Sequence, residues 1–290
     1  MIHTSRRDFL RHTAAAAACA ALAPAVAAAD KPSISFGLVT YLWARDWDLP
    51  TLIRNCTTTK VLGVELRTTH AHGVEPKLTA DQRTEVKKRF DDTPVKLVGL
   101  GSAEEFHSPD AKKREQAIET TKAFIKLSHD VGGSGVKVRP NDLPKGVPPE
   151  KTIEQIGKSL NIVGAFGADY GQQIRLEVHG GCARLPIIRQ IMDVATHPNV
   201  AVCWNSNDSD KEQPGLEHNF DLVKARLGKT THVRQLDTPG YPFQDLLNLF
   251  VKAGYNGWWL LEAGGKDPAD RVAALAQQRE LFEQMLLRTR

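Results

Sequence analysis

Cysteine is scarce in this chain, which contains only four cysteines among 290 residues. Cys19 lies in an N-terminal Ala-rich segment, and the other three, Cys56, Cys182 and Cys203, show no CxxC spacing. The three cysteines outside that segment are an odd number without paired spacing, which argues against a disulfide framework. The fold must therefore be stabilised by its hydrophobic core.

The chain also lacks a strong excess of charge and lacks an internal linker. Its formal net charge is +4, and removing the first 29 residues, with three arginines and one aspartate, lowers it to +2. A nearly balanced charge gives no support for a nucleic-acid or membrane partner. No Pro/Gly/Ser-rich segment divides the remaining residues, roughly 260 in number, which is a suitable length for one large domain.

Long hydrophobic runs are missing as well, apart from an Ala-rich stretch at 13–29 that is too short to span a bilayer. It follows a twin-arginine pattern at 5–10 and ends in three alanines, as a signal cleavage site does. We predict that residues 1–29 are a cleaved signal peptide. Residues 30–290 would then be exported to the periplasm or beyond, without a membrane anchor. A packed N-terminal helix and a lipoprotein anchored at Cys19 are the alternatives.

The rest of the chain consists of short β-prone runs that alternate with amphipathic helical segments. Strands are predicted at 34–39, 61–67, 95–100, 136–138, 174–177, 200–205, 230–234 and 258–262. Helices are predicted at 47–56, 79–90, 110–131, 150–166, 185–195, 216–227, 243–253 and 268–287. Helical crossovers make successive strands parallel, and this number of units predicts a single-domain (β/α)8 TIM barrel. A doubly wound open sheet would have fewer strands, and no G-x-G-x-x-G motif follows the first strand.

The last four predicted strands each end in a side chain that can coordinate a metal. These side chains are Glu177, Asn205, His232 and Glu262. In a TIM barrel the catalytic groups lie at the carboxyl ends of the strands, so we expect these four to meet in one site. A structural salt bridge is the alternative for the two glutamates, and a hydrogen-bonded core histidine is the alternative for His232.

In these residues the chain resembles the sugar phosphate isomerase/epimerase superfamily, the xylose isomerase-like TIM barrels. The resemblance extends over the whole mature chain and is most specific from the fifth predicted strand onward. The family's E-x-H-G setting matches Glu177 and His179, and its strand-seven His and strand-eight Glu match His232 and Glu262. The family's strand-six Asp is replaced by Asn205. The resemblance implies that these four strand-end residues bind a divalent metal, manganese first, with zinc, cobalt or magnesium as alternatives.

The resemblance also implies a reaction. In the family the ion holds a sugar carbonyl and its neighbouring hydroxyl, and the two glutamates move a proton between adjacent carbons through a metal-bound enediolate. We therefore expect Glu177 and Glu262 to be catalytic in an exported isomerase or epimerase of an unphosphorylated sugar or keto-sugar. The neutral amide of Asn205 can still ligate a hard cation, but the site loses one negative charge and should bind metal less tightly.

Three alternatives to that function follow from the same residues. A 3-keto-glycoside lyase or hydratase would begin with the same proton abstraction. A non-catalytic carbohydrate-binding barrel would explain Asn205 as a degraded metal site. An apurinic-type endonuclease would need a further Asp-x-His pair after the strand-seven histidine, and His232 is the last histidine in the chain.

Further polar and aromatic residues near strand ends are expected to contact a sugar-like substrate. They are His70, His107, Lys137, Arg139, His179 and Trp204. Each has a structural alternative. The histidines could be solvated loop residues, the two cations could neutralise the glutamates, and the tryptophan could pack in the core. Glu65 and Arg67 face one side of the second strand and are expected to pair with each other. A homo-oligomer is compatible with the sequence, which does not specify one.

The end of the barrel bears on the substrate class. Asp267 and Pro268 are predicted as the N-cap and first residue of the last helix. Since an N-cap carboxylate would occupy the anion position of that helix, we expect no phosphate site after the eighth strand.

Overall fold

The computed structural model describes residues 33–289. Eight short strands follow one another along this part of the chain, each separated from the next by a helix. They are β1 Ser35–Val39, β2 Gly63–Arg67, β3 Lys96–Glu105, β4 Gly135–Arg139, β5 Gln173–Glu177, β6 Val200–Cys203, β7 Thr230–Val233 and β8 Trp258–Leu261. The predicted signal peptide, residues 1–29, lies outside the described residues.

All strand pairs are parallel, and the sheet order is β6-β5-β4-β3-β2-β1-β8-β7. The two ends of this sheet meet. The backbone N–H of His232 donates to the carbonyl of Trp204 at 2.7 Å, and the N–H of Gly228 donates to the carbonyl of Val202 at 2.8 Å. The sheet is therefore a nearly closed barrel, and the predicted (β/α)8 TIM barrel is confirmed.

Eight helices alternate with these strands. They are α1 Leu49–Thr59, α2 Ala80–Asp91, α3 Ala111–Asp130, α4 Pro149–Asp169, α5 Leu185–Val194, α6 Leu216–Asp221, α7 Phe243–Lys252 and α8 Arg271–Leu287. Local sequence sets several of the starts: Thr79 and Gln82 form the predicted capping box of α2. Among the helices of the described part of the chain, none has the length and apolar character that a membrane crossing requires.

Two apolar regions of unequal size stabilise the barrel. The larger lies between the sheet and the helices and includes Ile174 and Leu176 of β5. The smaller lies inside the barrel and is built on Val39, Val98 and Leu260. Because successive side chains of a strand point to opposite faces, the residues of β5 that alternate with the apolar ones point inward. The barrel interior is therefore largely polar.

The strand β3 makes room for this polar interior with two glycines. A Cβ on Gly99 would lie 2.8 Å from Nη1 of Arg175, and a Cβ on Gly101 would lie 3.0 Å from Oε1 of Glu65. Arg175 is fully buried and donates to the carbonyls of Val98 and Ser134 at 2.9 and 3.1 Å. A guanidinium held in this way cannot move aside without losing hydrogen bonds in a buried site.

We expect the substitution Gly99→Ala to lower the free energy of unfolding by about 1–3 kcal/mol, because overpacking a fixed interior is destabilising. Urea denaturation of the mature chain would measure the change. Gly264→Ala is the matched control, since a Cβ there meets nothing within 4 Å. An equal effect at both positions would show that Arg175 and its neighbours are not fixed.

Three predicted elements differ from the structure. The predicted helix at 216–227 is the short α6 followed by a separate 3-10 turn, Lys224–Arg226. There the guanidinium of Arg226 donates to the carbonyls of Ala195 and Val200 at 2.9 and 2.7 Å, and this tertiary contact replaces regular helix.

The other two differences are shifts of element ends. The third strand continues to Glu105, well beyond the predicted end at 100. The last helix is capped by Asp270, whose side chain accepts from two backbone N–H groups, and the predicted cap Asp267 instead pairs with Arg45 at 3.0 Å. A carboxylate still occupies the anion position of that helix.

The three cysteines in the described residues are free thiols. Cys56, Cys182 and Cys203 are each buried, with 0% exposure. Burial raises the pKa of Cys56 to about 12, so its thiol is protonated and unreactive. The expectation that no disulfide framework supports the fold agrees with this arrangement.

Candidate active site

The carboxyl ends of the strands surround a pocket of about 400 Å³. Glu177, Asn205 and Glu262 line it, and His232 lies against them with no exposed surface. A volume of this size is within the usual range for small-molecule sites.

Each of these four residues occupies its place because of strand geometry. Glu177 is the last residue of β5, and Glu262 directly follows β8, where its N–H donates to the carbonyl of Val233 at 2.8 Å. Asn205 lies two residues beyond β6 and forms a parallel bridge with His232 on β7. The four predicted strand-end residues are therefore brought together by adjacent strands.

The side-chain atoms of the four residues converge on one point. The amide nitrogen of Asn205 donates to Oε1 of Glu177 and to Oε2 of Glu262, at 3.0 Å in both cases. Nδ1 of His232 lies 3.2 Å from the same oxygen of Glu177 and 3.6 Å from that of Glu262. Glu177 is almost fully buried, whereas the side chain of Glu262 is 19% exposed.

This spacing fits a divalent ion. Two ligands that each lie about 2.1 Å from an ion, at close to a right angle, are roughly 3 Å apart. Glu177, His232 and Glu262 could hold a metal, since each offers a ligand atom within 4.8 Å of the others. That Asn205 is a fourth ligand stays a prediction. It would require a half-turn of the amide, which would direct Oδ1 to the place that Nδ2 takes when it donates to the two carboxylates.

Glu65 is part of this site, although the sequence analysis paired it with Arg67. It is fully buried, and its Oε1 lies 3.0 Å from Nε2 of His232. The expected Glu65–Arg67 pair is therefore wrong: Arg67 extends further toward the barrel mouth and lines the pocket. A carboxylate on Nε2 keeps the proton on that nitrogen and leaves Nδ1 facing the other three residues.

Lys137 neutralises the buried carboxylates. Its Nζ donates to Oε2 of Glu177 at 2.6 Å, and its side chain is 5% exposed. Burial by itself would raise the pKa of Glu177, but the Lys137 ammonium and His232 outweigh it and hold that pKa well below its usual range. Burial likewise opposes charge on His232, yet Cys203, Glu65 and Glu262 together raise the pKa of His232 well above its usual value.

Two more predicted substrate-contacting residues line the pocket. Arg139 ends β4 and pairs with Glu105 at 2.5 Å. His179 follows β5, and its Nδ1 lies 3.1 Å from Oδ1 of Asn141. Their contact with a substrate stays a prediction, and so does that of Lys137.

The remaining three predicted residues are not in the pocket wall. His70 contacts Arg67, with its Nε2 3.3 Å from Nη1, and His107 lies 3.5 Å from Glu105. Trp204 is fully buried and packs on Phe220, with ring centroids 5.6 Å apart. The structure contradicts a substrate contact by Trp204, because its side chain lies among the core aromatics between the sheet and the helices.

The pocket also contains residues that the sequence analysis did not single out. Tyr41 follows β1, Asn207 and Asp208 follow β6, and Arg234 follows β7. Arg234 could have been found from strand alternation, since it lies two residues beyond the inward-pointing His232. The loop residues 207 and 208 carried no comparable signal.

Fold and site together define a family. The family model described as "Xylose isomerase-like TIM barrel" matches residues 53–285, so the chain belongs to that family. A second model, for the twin-arginine translocation pathway signal sequence, matches residues 3–23. Comparison with curated proteins gives no significant match.

Solved structures with the same fold include several sugar epimerases. The apo 3-keto-D-glucoside 4-epimerase YcjR from E. coli is 14% identical, with a TM-score of 0.72 over 87% of this chain and 100% of that one. An L-ribulose 3-epimerase is 13% identical, with a TM-score of 0.74 over 87% and 94%. An IolI protein with a bound zinc atom is 14% identical, with a TM-score of 0.71 over 88% and 98%. At these identities the likeness establishes the fold.

A buried acid anchors the loop that contributes Asn207 and Asp208 to the pocket. Asp210 has no exposed surface and accepts hydrogen bonds from the Tyr241 hydroxyl and from the backbone N–H of Asn207. One of its oxygens, Oδ1, is buried without a hydrogen-bond partner. Burial raises the pKa of Asp210 to about 7, although the two donated hydrogen bonds oppose the shift.

This carboxyl should make stability depend on pH. Unfolded, it titrates near 3.8, so between about pH 4 and pH 7 the folded protein holds a proton that the unfolded chain has lost. Raising the pH through that window therefore lowers the free energy of unfolding, by at most roughly 4 kcal/mol.

We expect Asp210→Asn to remove this loss, because the amide is neutral at every pH. Urea denaturation would measure the free energy of unfolding of both proteins as a function of pH. The difference, variant minus wild type, should increase between about pH 4 and pH 7 and stay constant above pH 7. Asp193→Asn, at an exposed site, is the control. A pH-independent difference would mean that Asp210 is already ionised at pH 5.

Proposed function

We propose that the chain is an exported, divalent-metal-dependent isomerase or epimerase of an unphosphorylated sugar or keto-sugar. The observation that supports this function is the convergence of two carboxylates, an imidazole and an amide on one point inside a sugar-sized pocket. The epimerases that share the fold support the reaction class, and the signal-sequence match supports export.

A divalent metal fits the four residues, and IolI, which shares the fold, carries zinc. Glu177, Asn205, His232 and Glu262 would hold it, with manganese as our first expectation and zinc, cobalt or magnesium as alternatives. When bound, the ion would polarise a sugar carbonyl and so acidify the neighbouring C–H bond. Glu65 would keep His232 in the tautomer that a ligand needs.

The two glutamates have different surroundings, and this suggests different tasks. Oε1 of Glu177 faces His232 and Asn205, and its Oε2 is held by Lys137. Glu262 is the more accessible of the two and hydrogen-bonds through Oε2 alone. We assign removal of the proton beside the carbonyl to Glu262, which becomes a carboxylic acid. Oε2 of Glu177 takes a proton from the adjacent Lys137 ammonium and delivers it to the substrate. Glu262 then loses its proton to the solvent of the pocket and Lys137 regains one, so that both groups are restored before the next turnover.

A non-catalytic sugar-binding barrel is the second candidate, and one contact favours it. The Asn205 amide already donates to both Glu177 and Glu262, so hydrogen bonds hold the two carboxylates together. Metal titration and proton exchange separate the two candidates.

We expect the mature chain, from Asp30 onward, to bind about one equivalent of Mn²⁺ and to lose it in Glu177→Ala. Glu65→Gln should weaken binding about 10- to 100-fold, because the carboxylate that orients the ligating histidine is lost. Elemental mass spectrometry and metal titration would measure both effects. Glu85→Gln, on the exposed face of α2, should bind as the wild type does. Absence of metal with all four divalent ions would rule out the proposed mechanism.

The reaction itself is tested by proton exchange. In D₂O the Mn²⁺-loaded protein should incorporate deuterium beside the carbonyl of a substrate, which NMR detects in a panel of ketohexoses, pentuloses and 3-keto-glucosides. Glu262→Gln should slow the exchange by about 10²- to 10⁴-fold, the usual contribution of a general base. Glu154→Gln, an exposed glutamate on α4, serves as the control. A panel that binds without any exchange would favour the binding barrel.

A further inference from the structure

The pocket wall is richer in cations than proton transfer on a neutral sugar requires. Arg67, Arg139 and Arg234 come from the ends of β2, β4 and β7 and lie around the same pocket, with Lys137 below them. The carboxylates in the wall are three in number, Glu177, Asp208 and Glu262.

These four cations differ in how well a carboxylate neutralises each of them. Lys137 is paired with Glu177 at 2.6 Å, and Arg139 with Glu105 at 2.5 Å. Arg234 lies 3.2 Å from Asp208, but that carboxylate is 77% exposed and is shared with Lys211. An exposed, shared pair of this kind contributes little.

Arg67 has no carboxylate partner within residues 33–289. Its Nη1 contacts the carbonyl of Thr68 and Nε2 of His70, both at 3.3 Å, and its guanidinium lies over the ring of Tyr41 at 5.6 Å. Burial, and then the charge of Arg67, lowers the pKa of His70 to about 4, so the histidine is neutral. The charge of Arg67 therefore has no counter-ion in its own surroundings.

Two of the arginines also have unused donors. Nε of Arg139 and Nε of Arg234 are buried and have no hydrogen-bond partner. A buried donor without a partner costs free energy, and a guanidinium fork matches the two oxygens of a carboxylate. The uncompensated charge of Arg67, beside two further guanidinium groups in the same pocket wall, indicates a ligand that supplies anionic oxygens.

We propose that the substrate of this site is a sugar derivative that carries a carboxylate, such as a keto-uronate, and that Arg67 is its main charge partner. This rests on the proposed function for the reacting end of the molecule. Arg234 and Arg139 supply further donors to the same anionic end. The arginines recognise the substrate through the charge of its carboxylate, while Glu177 and Glu262 act on the carbon beside its carbonyl.

A carboxylate fits this mouth better than a phosphate does. Barrels often bind phosphate at a helix N-terminus after the seventh or eighth strand. Here Asp270 already accepts from the N–H groups of Val272 and Ala273 at the start of α8. The N-terminus of α8 is thus not left for a phosphate, whereas the guanidinium of Arg67 has no carboxylate partner among residues 33–289.

Binding of three matched ketoses to the Mn²⁺-loaded mature chain tests the proposal. They are D-fructuronate, D-fructose and D-fructose 6-phosphate, compared by calorimetry at fixed ionic strength. We expect fructuronate to bind at least ten times more tightly than fructose and more tightly than the phosphate. Equal affinities for fructuronate and fructose would overturn the proposal, and a preference for the phosphate would overturn the choice of carboxylate.

Variants localise the effect. Arg67→Gln should reduce the affinity for fructuronate at least tenfold and change that for fructose less than threefold. Arg67→Lys keeps the charge and should lose less. Arg54→Gln, an exposed arginine on α1, is the matched control and should behave as the wild type. If Arg67→Gln weakens both sugars equally while circular dichroism shows a native fold, Arg67 does not recognise the anion.

The binding preference and the deuterium exchange test different proposals, so one can fail without the other. A preference for fructuronate without deuterium exchange would leave the anion site standing and refute the isomerase. Exchange on neutral ketoses without any preference for fructuronate would refute the anion site alone.

Discussion

The structure depends on how charge is buried inside the barrel. Four charged or chargeable side chains, Glu65, His232, Glu177 and Lys137, form one chain of contacts of 3.2 Å or less with almost no exposure. Burying an unpaired charge is costly, so each group is tolerated only because its neighbours compensate it. The small residues of β3 and the alternation of β5 both serve to accommodate this interior. Removing one member would leave its partner charged in a place without water.

The replacement of a strand-six aspartate by Asn205 is understandable within that arrangement. Lys137 already contributes a positive charge next to Glu177, and the amide adds two hydrogen bonds without altering the charge. The amide therefore holds the two glutamates together by hydrogen bonds, and a bound ion would have to compete with this arrangement. This competition, more than the number of ligands, would set the affinity for the proposed metal.

Most of the fold and the centre of the site could be predicted from the sequence because both depend on local patterns. Alternating strands and amphipathic helices specify the barrel, and a polar residue at a strand end identifies its carboxyl edge. Glu177, Asn205, His232 and Glu262 were found in this way.

The partner of Glu65 could not be found in this way. It lies 167 residues away, and the pairing depends on how β2 and β7 face each other across the barrel. The wrong prediction that Trp204 contacts the substrate has a different cause. It directly precedes Asn205, so if one points inward the other must point outward, and strand parity alone would have assigned it to the core.

The buried cysteines have a consequence for where the protein can work. Each thiol is enclosed by the finished fold, and none lies where a second thiol or a small oxidant could reach it. Disulfide exchange requires an accessible thiolate, so the native state is inert to it. A chain that folds first and is moved afterwards can pass from a reducing to an oxidising compartment with these three thiols unchanged.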